Sequence, residues 1–332
     1  MKGVPHVVLA PDKFRGSATA AEVASAMAKA ALGLGWTVDP APVSDGGEGF
    51  CASLGGRPRP VRVRGPLGVA VDAAWFELDG GAAASVEMAR ASGLDLVGGS
   101  RANDPVAADT AGTGQLIAAA VKAGVRQVLI GMGGSATTDG GWGAVEALEP
   151  HSRLAGVDLV VACDVRTRFV DAAASFSPQK GASAAQVQFL ARRLERLAQL
   201  YLERFGVDVR TIDGSGAAGG LAGGLAALGA TLVPGFELVA ERIELAERME
   251  GADLVITGEG LLDAESFNGK AVGGVVALAG ELGVPVVVLA GNADGDQPVQ
   301  FRTLVATVGE ERAWAEPLTA VGEAVAEILR CY

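Results

Sequence analysis

Asp12, Lys13 and Arg15 stand within APDKFRGS at residues 10–17, where a strand gives way to a helix. Two cations beside the free amides of a helix start make an anion site, and an arginine can grip a carboxylate through two parallel hydrogen bonds. A solvated, incidentally charged loop is the plainer reading. In PVSDGGEG, residues 42–49, Asp45 and Glu48 flank two glycines that let a ligand approach the backbone. A carboxylate held there could accept a hydroxyl proton or coordinate Mg2+, and phosphoryl transfer requires both. By residue type alone it is equally an Asp-Gly-Gly turn with a helix-start glutamate.

The densest segment is IGMGGSATTDGGWG, residues 130–143. Its glycines and hydroxyl residues expose backbone N–H groups and O–H donors, which suits a phosphate cradle (Gly133, Gly134, Ser135, Thr137), while Asp139 could hold a metal. A helix cap would explain Ser135 or Thr138 but not six glycines. TGEGLLDAESFNGK, residues 257–270, sets Gly258, Glu259, Asp263 and Lys270 on one loop-to-helix passage, mixing metal ligands with a phosphate cation. It is no P-loop: Ala264 stands at the first glycine position and Ala271 follows the lysine. Asp164 in ACDV (162–165) and Lys180 in SPQKGA (177–182) are weaker alone, since a strand-end aspartate often forms a turn and a surface lysine usually solvates. GSGAAG at 214–219 fits a dinucleotide fingerprint after a possible strand at 207–212. The ribose-binding acid would have to be Glu237 or Glu241, neither at an obvious strand end, so tight helix packing is the preferred explanation.

The elements that position these residues follow from pattern. Short Val/Leu/Ile runs at 7–10, 128–131, 159–163, 254–257 and 286–290 each end in a turn former and precede an Ala-rich stretch of helical period. Continuous apolar strands alternating with helices predict an α/β fold with largely parallel sheets covered on both faces. Ligands of such sheets gather at the carboxyl ends of strands, where all the segments above stand. Thr19 and Glu22 form a capping box ahead of a helix over 23–32, and Ser183 opens an amphipathic helix reaching residue 202. Alternation over 61–78 predicts antiparallel or edge strands and a boundary near Pro60, and residues 303–308 are read as a strand before a final helix.

Composition limits the function classes. Of the 332 residues 49% are hydrophobic and 20% charged, enough apolar surface for two ordered lobes. A formal charge of -12 repels phosphate backbones and anionic lipid, so neither nucleic acid nor a membrane is an expected partner. The uncharged stretch 214–236 is long enough to span a bilayer, but its Gly/Ala content and Pro234 predict loop, helix and turn. Cys51, Cys163 and Cys331 suggest neither a disulfide framework nor a zinc site and suit a reducing cytosol. The apolar run within residues 1–10 is too short for a signal-peptide core, so a cytoplasmic location is expected.

In order, APDKFRGS, SDGGEG, GTGQLI (112–117), IGMGGSATTDGG, ACDV, SPQKGA, GSGAAGGL and ADLVITGEGLLD with its following Gly-Lys resemble the signature series of the bacterial glycerate kinase family, of the glyoxylate and sugar-acid pathway type. The resemblance runs from residue 8 to about 290. It implies two three-layer α/β lobes, a flavodoxin-like one (61–284) inserted into a Rossmann-like one (1–60 plus 285–332), with the active site in the cleft between them. It also implies ATP and Mg2+, phosphorylation of D-glycerate to 2-phosphoglycerate, and a protein that works as monomer or homodimer. On that footing Asp45 is the expected hydroxyl-orienting base, with Asp12, Asp164 and Lys180 as further catalytic groups. Lys13, Arg15 and Glu48 would bind the acid. Gly133, Gly134, Ser135, Thr137, Gly258 and Lys270 would hold the nucleotide, and Asp139, Glu259 or Asp263 the metal. Thr167-Arg168-Phe169 departs from the Asn-Pro-Leu expected after ACDV, Ser44 stands where alanine is usual, and the link from residue 148 to 159 is short. The departure at 167–169 motivates two alternatives, a kinase of another small hydroxy acid and a sugar-acid or nucleotide-binding protein without turnover. The glycine fingerprint motivates a third, an NAD-dependent dehydrogenase.

Overall fold

The computed structural model of the chain describes residues 4–267 and 269–332; residues 1–3, at the start of the segment read above against a signal peptide, and Asn268, within the 257–270 segment, lie outside the described residues. The described strands are β1 (His6–Pro11), β2 (Thr37–Pro40), β3 (Arg57–Arg64), β4 (Ala70–Leu78), β5 (Ala83–Glu87), β6 (Gln127–Gly131), β7 (Asp158–Ala162), β8 (Thr231–Val233), β9 (Leu254–Leu262), β10 (Val286–Ala293) and β11 (Phe301–Thr303). By contacts the chain divides into two units, one of Met1–Asp45, Ala52–Leu54 and Phe236–Tyr332, the other of Gly46–Cys51 and Gly55–Gly235.

The unit containing both ends has one five-stranded parallel sheet, in the order β11-β10-β9-β1-β2. Its interior strand β1 is apolar without alternation because both faces are covered. Val7, Leu9, Leu254, Ile256, Val287 and Leu289 pack under the helices Ala20–Gly33 and Pro317–Leu329. Val8, Ala10 and Val255 pack on the opposite side against the helix Ala271–Leu282. The expected capping box is present, with Glu22 N–H donating to the Thr19 hydroxyl at 3.3 Å and Thr19 N–H to the Glu22 carboxylate at 2.9 Å.

The other unit holds a six-stranded sheet in sequence order, β3 to β8, antiparallel over the first three strands and parallel over the last four. Its outermost strand β3 reads RPRPVRVR, and Pro58 and Pro60 are tolerated because an edge strand can leave N–H positions unpaired. One core joins Val86, Val128, Ile130 and Val161 to the helices Ala111–Lys122 and Ala217–Ala227. A second forms around Phe169, Leu190, Leu194 and Tyr201, on the inner face of the long helix Ala184–Phe205 that Ser183 caps.

Two α/β units with largely parallel sheets agree with the sequence reading, and the strand orders refine it. Numbered within its own unit, the sheet of the two chain ends runs 2-1-3-4-5, the flavodoxin-type doubly wound order expected of the inserted lobe. The inserted sheet has no such reversal, because direct antiparallel pairing of β3, β4 and β5 keeps successive strands adjacent. Residues 303–308 are not a strand: β11 stops at Thr303, whose hydroxyl accepts from Ala306 N–H at 3.1 Å and so starts a helix, Leu304–Val308. The possible strand at 207–212 is a single 3₁₀ turn, Val209–Thr211. Among the described residues no helix is long and apolar enough to cross a membrane.

Candidate active site

Where β1 and β9 lie side by side, the chain leaves the sheet on opposite faces, opening the crevice in which doubly wound folds bind ligands. A cavity of about 490 Å³ lies in this unit, lined by Asp12, Lys13 and Arg15 after β1, by Asp45, and by Glu259, Asp263 and Lys270 on and after β9. Seven of the expected residues thus share one cavity. Asp12 is anchored by its N–H, which donates to Gly258 O at 2.8 Å, and its Oδ1 accepts from Lys13 N–H at 2.7 Å. The Lys13 ammonium sits 3.6 Å from Asp12 Oδ1 and 3.8 Å from Asp45 Oδ1, one cation shared by two carboxylates.

The electrostatics are those of a site waiting for positive charge. Burial pushes the Asp12 carboxyl up to about 6, against the pull of Lys13 and with help from the charges of Asp45 and Glu259. Burial also raises Glu259, against the Ser266 hydroxyl and Lys270. Glu259 Oε1 is buried without a hydrogen-bond partner, a costly arrangement unless a ligand or ion completes it. Asp263 is partly committed: its Oδ1 accepts from Glu265 N–H at 2.9 Å and Ser266 N–H at 3.1 Å, which shapes the turn leading to Lys270. Lys270 is the residue before the helix Ala271–Leu282, whose first turn carries no side-chain cap. A cation therefore stands at a helix start, the arrangement that suits a phosphate. Gly258 lies buried within β9, where its carbonyl accepts from Asp12 N–H.

The remaining expected residues lie in the other unit. The loop after β6 is built on itself: a Cβ on Gly133 would come within 2.5 Å of Gly47 Cα, so only glycine lets the 46–49 segment, with its exposed Glu48, lie against it. Gly133, Gly134 and Ser135 remain accessible, whereas Thr137 is buried. Asp139 is largely committed within its own unit. Its carboxylate accepts from Thr110 N–H at 2.9 Å, Thr110 Oγ1 at 2.7 Å, Gly141 N–H at 3.1 Å and Gly143 N–H at 3.1 Å. Three of these donors converge on Oδ2 and one on Oδ1. Asp139 therefore fastens the glycine loop to the start of the helix Ala111–Lys122.

Lys180 is also an internal support. It is 3% exposed, and its ammonium donates to Thr137 O at 2.6 Å. Burial lowers it to about 7, with Asp139 holding it up. Asn103 Nδ2 donates to Ala136 O at 3.0 Å and to Lys180 O at 2.9 Å, bracing the same turn. Asp164 Oδ1 accepts from Gly235 N–H at 2.8 Å, where the helix Gly235–Arg242 begins.

The glycine fingerprint at 214–219 is a packing device, as preferred above. Ala218, Gly219 and Gly220 are all left-handed, and a Cβ on Gly219 would meet Thr137 O at 2.0 Å. Phe169, in the departing Thr167-Arg168-Phe169, is fully buried beside Tyr201, with ring centroids 5.9 Å apart. The departure thus fills a core under the glycine loop. Asn292, Glu310 and Trp314, which no sequence motif marks, also line the cavity of the first unit. The available signal was Trp314 itself, a lone aromatic in the short Ala/Glu-rich helix Glu310–Ala315.

A sequence model of the glycerate kinase family matches residues 7–151 and 149–329. The chain is 39% identical over 327 residues to the glycerate kinase of Halalkalibacterium halodurans, covering 86% of this chain and 85% of that one. It is 38% identical over 328 residues to the glycerate 2-kinase of Escherichia coli K12, covering 87% and 86%. A crystal structure of a candidate glycerate kinase 2 from Salmonella typhimurium LT2 superimposes with a TM-score of 0.85 at 32% identity, over 99% of this chain and 98% of that one. The chain belongs to the glycerate kinase family. It is accordingly a kinase, an enzyme that takes phosphate from a nucleotide and passes it to an alcohol group of a small molecule.

Proposed function

We propose that this chain transfers the γ-phosphoryl group of ATP to D-glycerate, forming 2-phosphoglycerate, with Mg2+ as the counter-ion. The observation that carries the reading is the cavity at the β1/β9 crevice, which gathers Asp12, Lys13, Arg15, Asp45, Glu259, Asp263 and Lys270. Its wall has five carboxylates, Asp12, Asp45, Glu259, Asp263 and Glu310, against three cations, Lys13, Arg15 and Lys270. Such a wall repels a triphosphate unless a divalent cation comes with it. Mg2+ fits: it takes one or two carboxylates plus substrate phosphates, and Glu259 offers a buried oxygen without a partner. We assign Glu259 to the metal, with Asp263 as the second carboxylate. When bound, the ion would neutralise charge on the phosphates.

The chain's own groups supply the rest. Asp45, with Lys13 beside it, accepts and orients the acceptor hydroxyl. Arg15 and Lys13 take the glycerate carboxylate. Lys270, at its helix start, holds phosphate oxygens. Gly133, Gly134 and Ser135 form a second anion-binding turn, and Glu48 lies next to it in the acid-binding set. Lys180, Asp139 and Asp164 act as positioning residues, since each is spent on backbone groups. The enzyme would work in the cytoplasm, as the free thiols Cys51, Cys163 and Cys331 suit, and as monomer or homodimer. The test is ADP release by the purified protein with ATP, Mg2+ and D-glycerate. Turnover that depends on D-glycerate is expected, and none at high enzyme concentration would remove the proposal.

A further inference from the structure

The cavity wall combines two chemically different sets of residues. Beyond the charged groups its wall is made by Leu261, Leu304, Val305, Ala313, Trp314 and Pro317, with Asn292 and Glu310 as the polar atoms among them. Leu261 and Asn292 are paired neighbours at the carboxyl ends of β9 and β10. Trp314 is 64% exposed and Leu261 51% exposed, in a unit whose core apolar residues are almost all fully buried. The indole joins none of the hydrophobic cores and has no ring or cation partner among the described residues. A tryptophan left in water forfeits one of the largest burial gains any side chain offers, so an indole on a cavity wall asks for an occupant.

Of the two substrates, a small hydroxy acid has no planar apolar part, and its charges suit the charged residues of the wall. The nucleotide has both parts, phosphates for Lys270 and a flat aromatic base for the apolar wall. A volume of about 490 Å³ is within the range of cavities that hold ligands of this size.

We propose that the apolar residues of this wall form the nucleotide's base subsite, with the base stacked on Trp314 and its polar edge met by Asn292 and Glu310. This rests on the nucleotide-using kinase reading above. The helix Glu310–Ala315 then serves as the specificity wall for the nucleotide, while the β1 and β9 loops handle phosphate and acid.

Calorimetric titration of wild type, Trp314→Ala and Trp314→Phe with Mg·ATP, and separately with inorganic tripolyphosphate, tests this without turnover. Base stacking supports a loss of roughly 10- to 100-fold in ATP affinity for Trp314→Ala. Trp314→Phe should stay within about threefold of wild type, because it keeps an aromatic face. Tripolyphosphate, which has no base, should bind all three proteins alike. Equal ATP affinity in Trp314→Ala and wild type would overturn the assignment, and so would an equal loss for tripolyphosphate. Since no acid is present, ATP binding that depends on Trp314 in a protein unable to phosphorylate glycerate would sink the proposed function and leave the subsite standing. Glycerate turnover with ATP affinity indifferent to Trp314 would do the opposite.

Discussion

At the scale of single residues, Asp45, Lys270 and Asp12 should fail in distinguishable ways. Asp45→Asn keeps shape and removes charge, so kcat should fall roughly 100-fold or more while the KM for glycerate changes little. Lys270→Ala should raise the KM for ATP as well as slow turnover, because phosphate oxygens are held in ground and transition states alike. Steady-state kinetics of the two variants check both, and near-normal kcat in Asp45→Asn would move the base elsewhere in the cavity. Asp12 makes a prediction about stability in the ligand-free protein. Its folded pKa is raised from 3.8 to about 6, so the folded state holds this proton more tightly than the unfolded chain does. The contribution of Asp12 to stability is therefore greatest below about pH 4, falls as pH rises through 6, and is flat above. At 1.36 kcal/mol per pKa unit the penalty at neutral pH is at most about 3 kcal/mol. Asp12→Asn, which is neutral throughout, should melt with wild type near pH 4 and several degrees above it at pH 7.5. Equal melting temperatures at both pH values would contradict the burial argument.

The scale of elements explains both what the sequence displays and what it conceals. Strands such as 7–10 and 254–257 are legible because both faces are covered, which leaves an unbroken apolar run. The Thr19 and Ser183 caps are legible because they are local, each closed within three residues. Residues 303–308 misread because Val, Thr and Leu suit a strand by composition, while one hydroxyl bond at Thr303 decides for a helix. Asp139 shows a related limit of local pattern. Its residue type and glycine surroundings fit a metal ligand, and only the fold brings the Thr110 amide and hydroxyl, 29 positions away, onto the same carboxylate. The glycines of 214–219 carry a prediction here. Gly219→Ala would set a Cβ against Thr137 O in a left-handed residue, so it should cost more than 2 kcal/mol. Gly229, at the far end of the same helix, is also left-handed but faces open space, and Gly229→Ala should cost only about 1 kcal/mol. Urea unfolding of both variants measures the difference, and equal losses would refute the packing account of this segment.

For the whole molecule, the segments singled out in the sequence divide into two kinds once folded. Those after β1 and β9 meet in one cavity because parallel strands put their carboxyl ends on one side of the sheet. Those after β6 and β7 mostly brace each other, through Asp139, Lys180 and the glycines. Spacing could not tell the two apart, since a cradle and a clamp draw on the same glycines, carboxylates and lysines. Trp314 was hidden for the opposite reason, as a single residue gives no pattern and becomes visible only by its exposure on a cavity wall. The central claim is that this molecule phosphorylates D-glycerate, and the most direct measurement is NMR of the reaction product. Purified protein is incubated with ATP, Mg2+ and D-[13C3]glycerate, and the phosphate is located by its phosphorus–carbon couplings. A single product carrying phosphate on C2, formed in step with ADP, is expected. Phosphate on C3 would contradict the proposed product, and unchanged glycerate at high enzyme concentration would contradict the claim itself.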